Sequence, residues 1–278
     1  MTEARLYVVA TPIGNLDDIT LRALQVLAEV DVIAAEDTRR TRHLLSRHGL
    51  ERPLICLQEH NEEKQAPMLV ERLRAGESVA LVSDAGTPLL SDPGYRLVVL
   101  AADAGIGVLS VPGPSSITAA LSISGLPTDR FSFEGFLPPR HAARLKELTR
   151  LQNELSTMVF FESSHRIRES LHDLEQVFGS GRRAALCREM TKQFETVLRG
   201  SLAEIRSRVE SDPDQRRGEF VLVVSGGNPD ESMAFSRALE LARELLPLLP
   251  ASQAARIAAK LHKVPRRDLY RALEQSGK

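Results

Sequence analysis

Five short apolar runs, Leu6–Ala10, Val32–Ala35, Leu54–Leu57, Val79–Val82 and Val108–Val111, recur through the first 113 residues with helix-periodic segments between them. That alternation limits the fold more than any other feature. Strands separated by whole helices pair in parallel, and the helices then cover the faces of the sheet. The helices are marked by Leu21, Leu24, Val26 and Leu27, by Met68, Leu69 and Leu73, and by Leu97, Val98, Leu100 and Ala101. Each set is spaced to line one side of a helix. Ligands on such open sheets sit beyond the carboxyl ends of the strands. The loops at those ends are the unusual ones: Thr11-Pro-Ile-Gly-Asn15, Glu36-Asp-Thr-Arg39, Ser83–Gly94 and Pro112-Gly-Pro-Ser-Ser116.

The segment from Leu81 to Gly94 is the richest of the four. It carries Asp84 and Asp92 among small hydroxyl side chains, and it is stiffened by Pro88 and Pro93. Plain strand-to-helix connections need about 2–6 residues, so a longer, chemically dense loop reads as a ligand loop. Gly86 allows close backbone approach to a bound group, and the helix after Gly94 begins with free amide groups.

A second α/β unit follows. Its expected elements are a small-residue helix Ser115–Ser124, a strand Phe131–Phe136, a basic helix Arg140–Leu151, a strand Thr157–Phe161, a helix Ser164–Phe178 and a strand Ala184–Cys187. Strands near Phe194–Leu198 and at Phe220–Val224 complete it, the last one ended by Gly226-Gly-Asn-Pro229. Beyond residue 230 three helical patterns remain, Phe235–Leu246, Ser252–His262 and Pro265–Gln275. The spacing of the last two is that of a helix–turn–helix, with Ser252 as N-cap and Pro265 as the first residue of the following helix. Such a unit docks in a nucleic-acid groove through Arg266, Arg267 and Arg271, or serves as a packing or dimer element. The expected domains are 1–113, 114–229 and 230–278.

Composition narrows the function. No apolar run approaches the ~20 residues that span a bilayer, and Met1-Thr-Glu-Ala-Arg5 lacks an export pattern, so a cytoplasmic protein without a membrane segment is expected. Cys56 and Cys187 stand far apart with no Cys or His at ligand spacing, which suggests neither a disulfide framework nor a metal site. The net charge of −1 argues against indiscriminate nucleic-acid binding. Neither G-x-G-x-x-G after the first strand nor a P-loop signature occurs, so an ordinary dinucleotide site or P-loop ATPase is not expected.

Leu6–Asn15, Ala34-Ala-Glu-Asp-Thr-Arg39, Ser83–Gly94, Val111-Pro-Gly-Pro-Ser-Ser-Ile-Thr118, Glu134-Gly-Phe-Leu-Pro138, Phe161-Glu-Ser-Ser-His-Arg166 and Arg188-Glu-Met-Thr-Lys192 together form a recognisable set. The chain resembles the ribosomal RNA small subunit methyltransferase I family, within the tetrapyrrole-methylase-like superfamily, from about residue 5 to the C-terminus. The resemblance implies two α/β domains with an S-adenosylmethionine cleft between them, a small C-terminal helical domain, and a homodimer. It also implies 2′-O-methylation of a cytidine ribose in the decoding centre of 16S rRNA, with the small ribosomal subunit as partner.

S-adenosylmethionine needs an apolar slot for adenine, acceptors for its hydroxyl and ammonium groups, and a close wall around its methyl. Asp84 is the expected acceptor, and Ala85, Gly86 and Thr87 offer backbone contacts. Pro12 and Gly14 close one side, while Ser115, Ser116 and Ile117 open a helix start. Phe161 and Met190 are candidates for the adenine wall or ordinary core. Proton removal has Glu36, Asp37, Glu162, His165, Glu189, Lys192 and Glu195 as candidates. Lys192 with Glu189 is favoured, with Glu36 and Arg39 positioning substrate; a structural ion pair is the competing reading of Lys192 and Glu189.

Positive charge concentrates at Arg39–His43 with Arg47-His48, at Arg140–Arg144 with Lys146, and between Lys260 and Arg271. These are the candidate rRNA contacts. With no Trp and three Tyr, base-stacking platforms are scarce, and recognition by RNA shape and backbone is expected. Two rival readings stay open. One is a tetrapyrrole C-methyltransferase sharing the cofactor loops; the other is a non-catalytic regulator that binds nucleic acid through its tail.

Overall fold

The structure, a computed structural model, describes residues 4–227 and 229–275. Met1–Glu3, Asn228 within the Gly226–Pro229 segment, and Ser276–Lys278 at the end of the tail lie outside the described residues. The first sheet contains β1 (Arg5–Val9), β2 (Val32–Ala35), β3 (Leu54–Cys56), β4 (Val79–Val82) and β5 (Gly107–Val111). All its pairings are parallel, in the order β3-β2-β4-β1-β5. Consecutive side chains point to opposite faces, so each strand feeds two cores. Leu6, Val32, Ala34, Val79 and Leu81 pack under α3 (Glu62–Arg74) and α4 (Tyr95–Asp103). Val9, Ile33, Ala35, Ala80 and Val82 pack under α1 (Leu21–Glu29) and α2 (Thr38–Arg47). With both faces covered, β2 and β4 are buried at every position, which is why they read as continuous apolar runs.

Helix α2 was not expected, because its sequence reads as a basic cluster. Its apolar side is only Thr41, Leu44 and Leu45, and Asp37 starts it by accepting the Arg39 amide at 2.8 Å. The charged side chains of α2 are the solvent side of a packed helix rather than a loop.

The second sheet contains β6 (Phe131–Phe136), β7 (Thr157–Ser163), β8 (Arg183–Arg188), β9 (Thr196–Ser201) and β10 (Glu219–Val224), ordered β6-β7-β10-β8-β9. Only β6 and β7 run parallel; the remaining pairs are antiparallel. One face carries α6 (His141–Arg150), α7 (Ile167–Phe178) and α8 (Leu202–Ser211), and α5 (Ser116–Ser124) packs on the other. Several expected boundaries move. β7 continues to Ser163 because Glu162 and Ser163 pair with Phe220 and Glu219, so α7 begins at Ile167 rather than Ser164. The strand placed near Phe194 starts at Thr196, with Phe194 exposed. Ser115 is the N-cap of α5 rather than its first residue. Helix α8 lies outside the expected elements; Ser201 and Glu204 form a reciprocal capping box at its start.

The tail is a small helical unit of α9 (Pro229–Leu245), α10 (Ala251–His262) and α11 (Arg266–Gln275) around Ala238, Ala242, Ala255, Ala258, Leu269 and Leu273. Ser252 is not the N-cap. Pro250 holds that place, and its carbonyl accepts the Gln253 and Ala254 amides. Pro265 lies just before α11 and accepts the Leu269 amide through its carbonyl. The turn between α10 and α11 does without glycine because Lys263 adopts the left-handed conformation, φ 55°.

Candidate functional site

The loops after β1 and β4, central neighbours in the first sheet, are clasped together. Thr11 and Gly86 exchange backbone hydrogen bonds of 2.9 Å in each direction, and the Thr11 hydroxyl donates to the Ser83 carbonyl at 3.2 Å. Gly86 holds φ 82°, and a Cβ there would lie 3.4 Å from Ile13 Cγ2. The Thr87 hydroxyl donates to the Pro114 carbonyl at 3.1 Å, tying this loop to the segment that enters the second sheet.

Against this clasp the end of β2 delivers Glu36, which accepts the Asp84 amide at 3.3 Å. Asp84 in turn accepts the Asp37 amide at 2.8 Å and pairs with Arg40 at 3.4 Å. Beyond the left-handed residues Leu89 and Ser91 the same loop brings back Asp92. Glu36, Asp84 and Asp92 therefore share one wall. Burial raises the Glu36 carboxyl above its ordinary value, and the Asp84 charge adds to that, against the opposing hydrogen bond from the Asp84 amide. Burial also pushes Asp92 up to about 6; a hydrogen bond with Ser83 opposes the shift, and the negative charges of Glu36 and Asp84 add to it.

The opposite wall comes from the second sheet. Phe161 meets Phe133 and Phe136 edge to face, with centroids 4.8 and 5.5 Å apart. Met190, Phe220 and Val221 continue the apolar surface. Between the walls lies a cavity of about 550 Å³ lined by Ile13, Glu36, Asp84, Asp92, Phe161 and Met190, among others. That volume falls within the usual range for small-molecule sites. A neighbouring depression of about 480 Å³ lies over α2, between Pro12, Ser83 and Asp84 on one side and Arg39, Arg40 and His43 on the other.

The halves touch where the first loop meets the segment after β8. A Cβ on Gly14 would lie 2.7 Å from Lys192 Cγ and Thr191 Oγ1, and 2.8 Å from the Met190 carbonyl oxygen. Glu189 and Thr191 both adopt left-handed backbone, φ 51° and 65°, and Thr191 Oγ1 is buried there without a hydrogen-bond partner. Non-glycine residues in this conformation store strain and gather at functional sites. Lys192 Nζ donates to Glu189 Oε1 and Glu219 Oε2, each at 2.9 Å. Burial alone would lower the lysine's pKa, but these two carboxylates outweigh it and hold the ammonium above its ordinary value. Lys192 is thus a clamped cation in this geometry.

Of the residues singled out in the sequence, Glu36, Asp84, Ala85, Ser116, Phe161 and Met190 line the cavity. Pro12 and Arg39 line the adjoining depression. Gly86 and Thr87 support the loop from behind, and Gly14 and Lys192 border a shallow hollow with Thr191. Ser115 caps α5 without a side-chain cap bond, and Ile117 is core. Glu189 sits under Lys192, where Gly218 leaves room for its carboxylate. Arg144 requires correction as an RNA contact. It is buried in an ion pair with Asp173 at 2.7 Å, so of that cluster's arginines and lysine only Arg140 and Lys146 face solvent. Asp92 joins the site from the Ser83–Gly94 segment, where its position between Ser91 and Pro93 gives no sign of burial in the cavity wall.

Residues 5–206 match the model of the tetrapyrrole (corrin/porphyrin) methylases, and residues 234–276 match the RsmI C-terminal HTH domain. A crystal structure of uroporphyrin-III C-methyltransferase from Thermus thermophilus, complexed with S-adenyl homocysteine, superposes with a TM-score of 0.54 at 19% identity, covering 80% of this chain and 97% of that one. Fold and facing walls together define an S-adenosylmethionine-dependent methyltransferase of the tetrapyrrole-methylase class. Ribosomal RNA small subunit methyltransferase I of Xylella fastidiosa strain Temecula1 is 51% identical over 97% of this chain and 98% of that protein. Its counterpart in Pseudomonas aeruginosa is 49% identical over the whole of both chains. The chain belongs to the ribosomal RNA small subunit methyltransferase I family.

The side chains present fit the cofactor. Phe161, Met190, Ile13 and Val221 make an apolar floor suited to adenine, and Asp84 and Glu36 supply acceptors for hydroxyl or ammonium groups. Gly86 permits the close backbone approach a side chain would block.

Proposed function

We propose that this enzyme methylates the ribose 2′-oxygen of a cytidine in the decoding centre of 16S rRNA within the small ribosomal subunit. The observation that carries this reading is the join between the carboxylate and aromatic cavity and the depression over α2, which share Arg40 and Asp84. A cofactor cavity thereby opens beside a cationic rim. When bound, S-adenosylmethionine supplies an electrophilic methyl on a sulfonium. Asp84, Glu36 and the backbone of Ala85 to Thr87 hold it, Ser115, Ser116 and Ile117 bound it at the start of α5, and Pro12 and Gly14 bound its near side. Lys192, fixed by Glu189 and Glu219, keeps the loop after β8 against Gly14, and Arg39 positions the RNA. Correct alignment supplies much of the acceleration in a displacement of this kind.

Arg39, Arg40, Arg42, His43 and Arg47 all project from the solvent side of α2 and make the rim basic. A small macrocycle does not need a rim of that extent, and this favours RNA over a tetrapyrrole as acceptor. Arg42→Ala is expected to weaken subunit binding and to flatten the slope of log affinity against log salt by about 1. Cofactor affinity is expected to stay unchanged, and filter binding at several salt concentrations reads both quantities. Function itself is tested by offering labelled S-adenosylmethionine with either undermethylated small subunits or a uroporphyrin-type macrocycle. Label is expected in the subunit alone.

Our reading of the chain divides it at 1–113, 114–229 and 230–278, and takes a homodimer as the working assembly. Exposed Met68 and Tyr95 on neighbouring α3 and α4 support an apolar contact. Light scattering tests it, and a monomer at micromolar concentration contradicts it. A cytoplasmic location follows from a ribosomal acceptor, and no helix among the described residues is long and apolar enough to cross a membrane.

A further inference from the structure

We propose that Asp92 is the catalytic base, its carboxylate taking the proton from the attacking ribose hydroxyl at the mouth of the cavity. The inference rests on the methyl-transfer function above. As the hydroxyl oxygen forms its bond to the methyl carbon, the carbon–sulfur bond breaks, its electron pair stays on sulfur, and the proton passes to Asp92.

The other candidate bases are committed elsewhere. Lys192 is an ammonium held by two carboxylates, and Glu189 is the partner that holds it. Glu162 is buried with both oxygens engaged, by the Ser163 amide and Arg166 on one side and the Ser170 hydroxyl on the other. Asp37 is bound in a fork by Arg39, at 2.7 and 3.1 Å. Glu195 accepts the Thr191 amide at 2.6 Å, and His165 is exposed and does not line the cavity. Glu36 accepts the Asp84 amide, and Asp84 is paired with Arg40.

Among the described residues no cation contributes to the shift of Asp92, whereas Arg40 lowers Glu36 and pairs with Asp84. What acts on Asp92 is burial, the Ser83 hydroxyl, and the charges of Glu36 and Asp84. It lines the cavity and follows the left-handed Ser91, in a loop pinned at its far end by Glu62, which accepts the Gly94 and Arg96 amides. The charged groups around it are Glu36 from β2, Arg40 from α2, Asp84 from β4, Glu62 from α3, Glu162 from β7 and Glu219 from β10. Burial, with the charges of Glu36 and Asp84 added to it, makes the carboxylate basic enough to accept a proton near neutrality while it stays ionised there. Its ordinary value of 3.8 is raised to about 6, so proton-accepting capacity is lost as pH falls below about 6. A sulfonium in the cavity favours the carboxylate and shifts that loss to lower pH.

Three measurements test the assignment. In single turnover on small subunits, Asp92→Asn is expected to lose about 100-fold or more in rate, with cofactor affinity by calorimetry within about threefold of wild type. Asp92→Glu is expected to recover part of the rate. In the ligand-free protein, carboxyl carbon NMR is expected to show one resonance titrating near 6, absent from Asp92→Asn and moved to lower pH by S-adenosylmethionine. The wild-type pH profile of kcat/KM for S-adenosylmethionine, which reports the cofactor-free enzyme, is expected to rise up to about pH 6 and then level. An Asp92→Asn enzyme that turns over at the wild-type rate, or whose whole loss is lost cofactor affinity, overturns the assignment. So does a wild-type profile flat through that range. If wild type labels subunits and the variant labels them equally fast, only this assignment fails; if wild type labels none, the function itself fails.

Discussion

Gly86→Val is expected to remove measurable S-adenosylmethionine binding while leaving a folded protein. Gly86 sits at φ 82°, where an L-residue pays about 1–2 kcal/mol and a β-branched one more. The added Cβ would meet Ile13 Cγ2 at 3.4 Å, and the further methyl groups need space that a cavity-lining side chain already holds. Relief requires breaking the two-way pairing of Gly86 with Thr11, the clasp that sets the loops after β1 and β4 around the cavity. Strain and displacement together amount to a few kcal/mol at the binding surface, or about 100-fold or more in Kd. The control is Gly76→Val. Gly76 has φ 97°, and a Cβ added there would have no neighbour within 4 Å, so it carries the backbone strain without the site. Calorimetric titration of both variants, with circular dichroism for folding, is expected to show binding lost in the first and kept in the second.

The largest effect on stability is expected at Arg144. Its side chain is 1% exposed, its Nε donates to Asp173 at 2.7 Å, and its Nη1 donates to the carbonyls of Pro138 and Pro139. Asp173 is itself only 2% exposed. Removing the cation leaves a buried carboxylate short of its partner, with only His141 at 3.0 Å to share it. Such a loss costs about 3–5 kcal/mol, or roughly 6–20 °C in the melting temperature of a protein of this size. Arg144→Met is expected to show that loss by thermal unfolding. The double variant Arg144→Met with Asp173→Leu is expected to regain most of it, because a buried ion pair replaced as a unit by apolar side chains is often neutral. A double variant as unstable as the single one would show that the helix–loop hydrogen bonds to Pro138 and Pro139 dominate.

How far the sequence reveals this molecule depends on whether a residue's partner is near or far along the chain. β1, β2 and β4 are legible because apolar runs bounded by Gly, Pro or charge need no distant information, and β6 because phenylalanines recur between its polar residues. The ends of β7 and α7 are not, because Glu162 and Ser163 are strand only through pairing with β10, nearly sixty residues away. α2 is masked by five basic residues over a narrow apolar side, whereas the Ser201–Glu204 capping box of α8 is a local signal. The same rule governs the site. The loops after β1, β2 and β4 announce a ligand site by composition, but the roles within it depend on contacts at long range. Arg144 looks like part of a solvated basic run until Asp173 is placed beside it. Lys192 has Glu189 within reach three residues earlier, but its second partner, Glu219, lies 27 residues further on. Asp92 acquires its character from burial in the folded cavity wall, to which Glu36, more than fifty residues earlier in the chain, and Asp84 add their charges.

On the proposed function, the cavity and its basic rim serve ribose methylation of ribosomal RNA. The most direct test of that function is transfer of labelled methyl from S-adenosylmethionine to undermethylated small subunits, followed by nuclease mapping and alkaline digestion of the RNA. Label in an alkali-resistant dinucleotide bearing 2′-O-methylcytidine, from the decoding centre of 16S rRNA, is the expected result. Saturable cofactor binding with no label in RNA, or label released from the ribose fraction and found on a base, would contradict it.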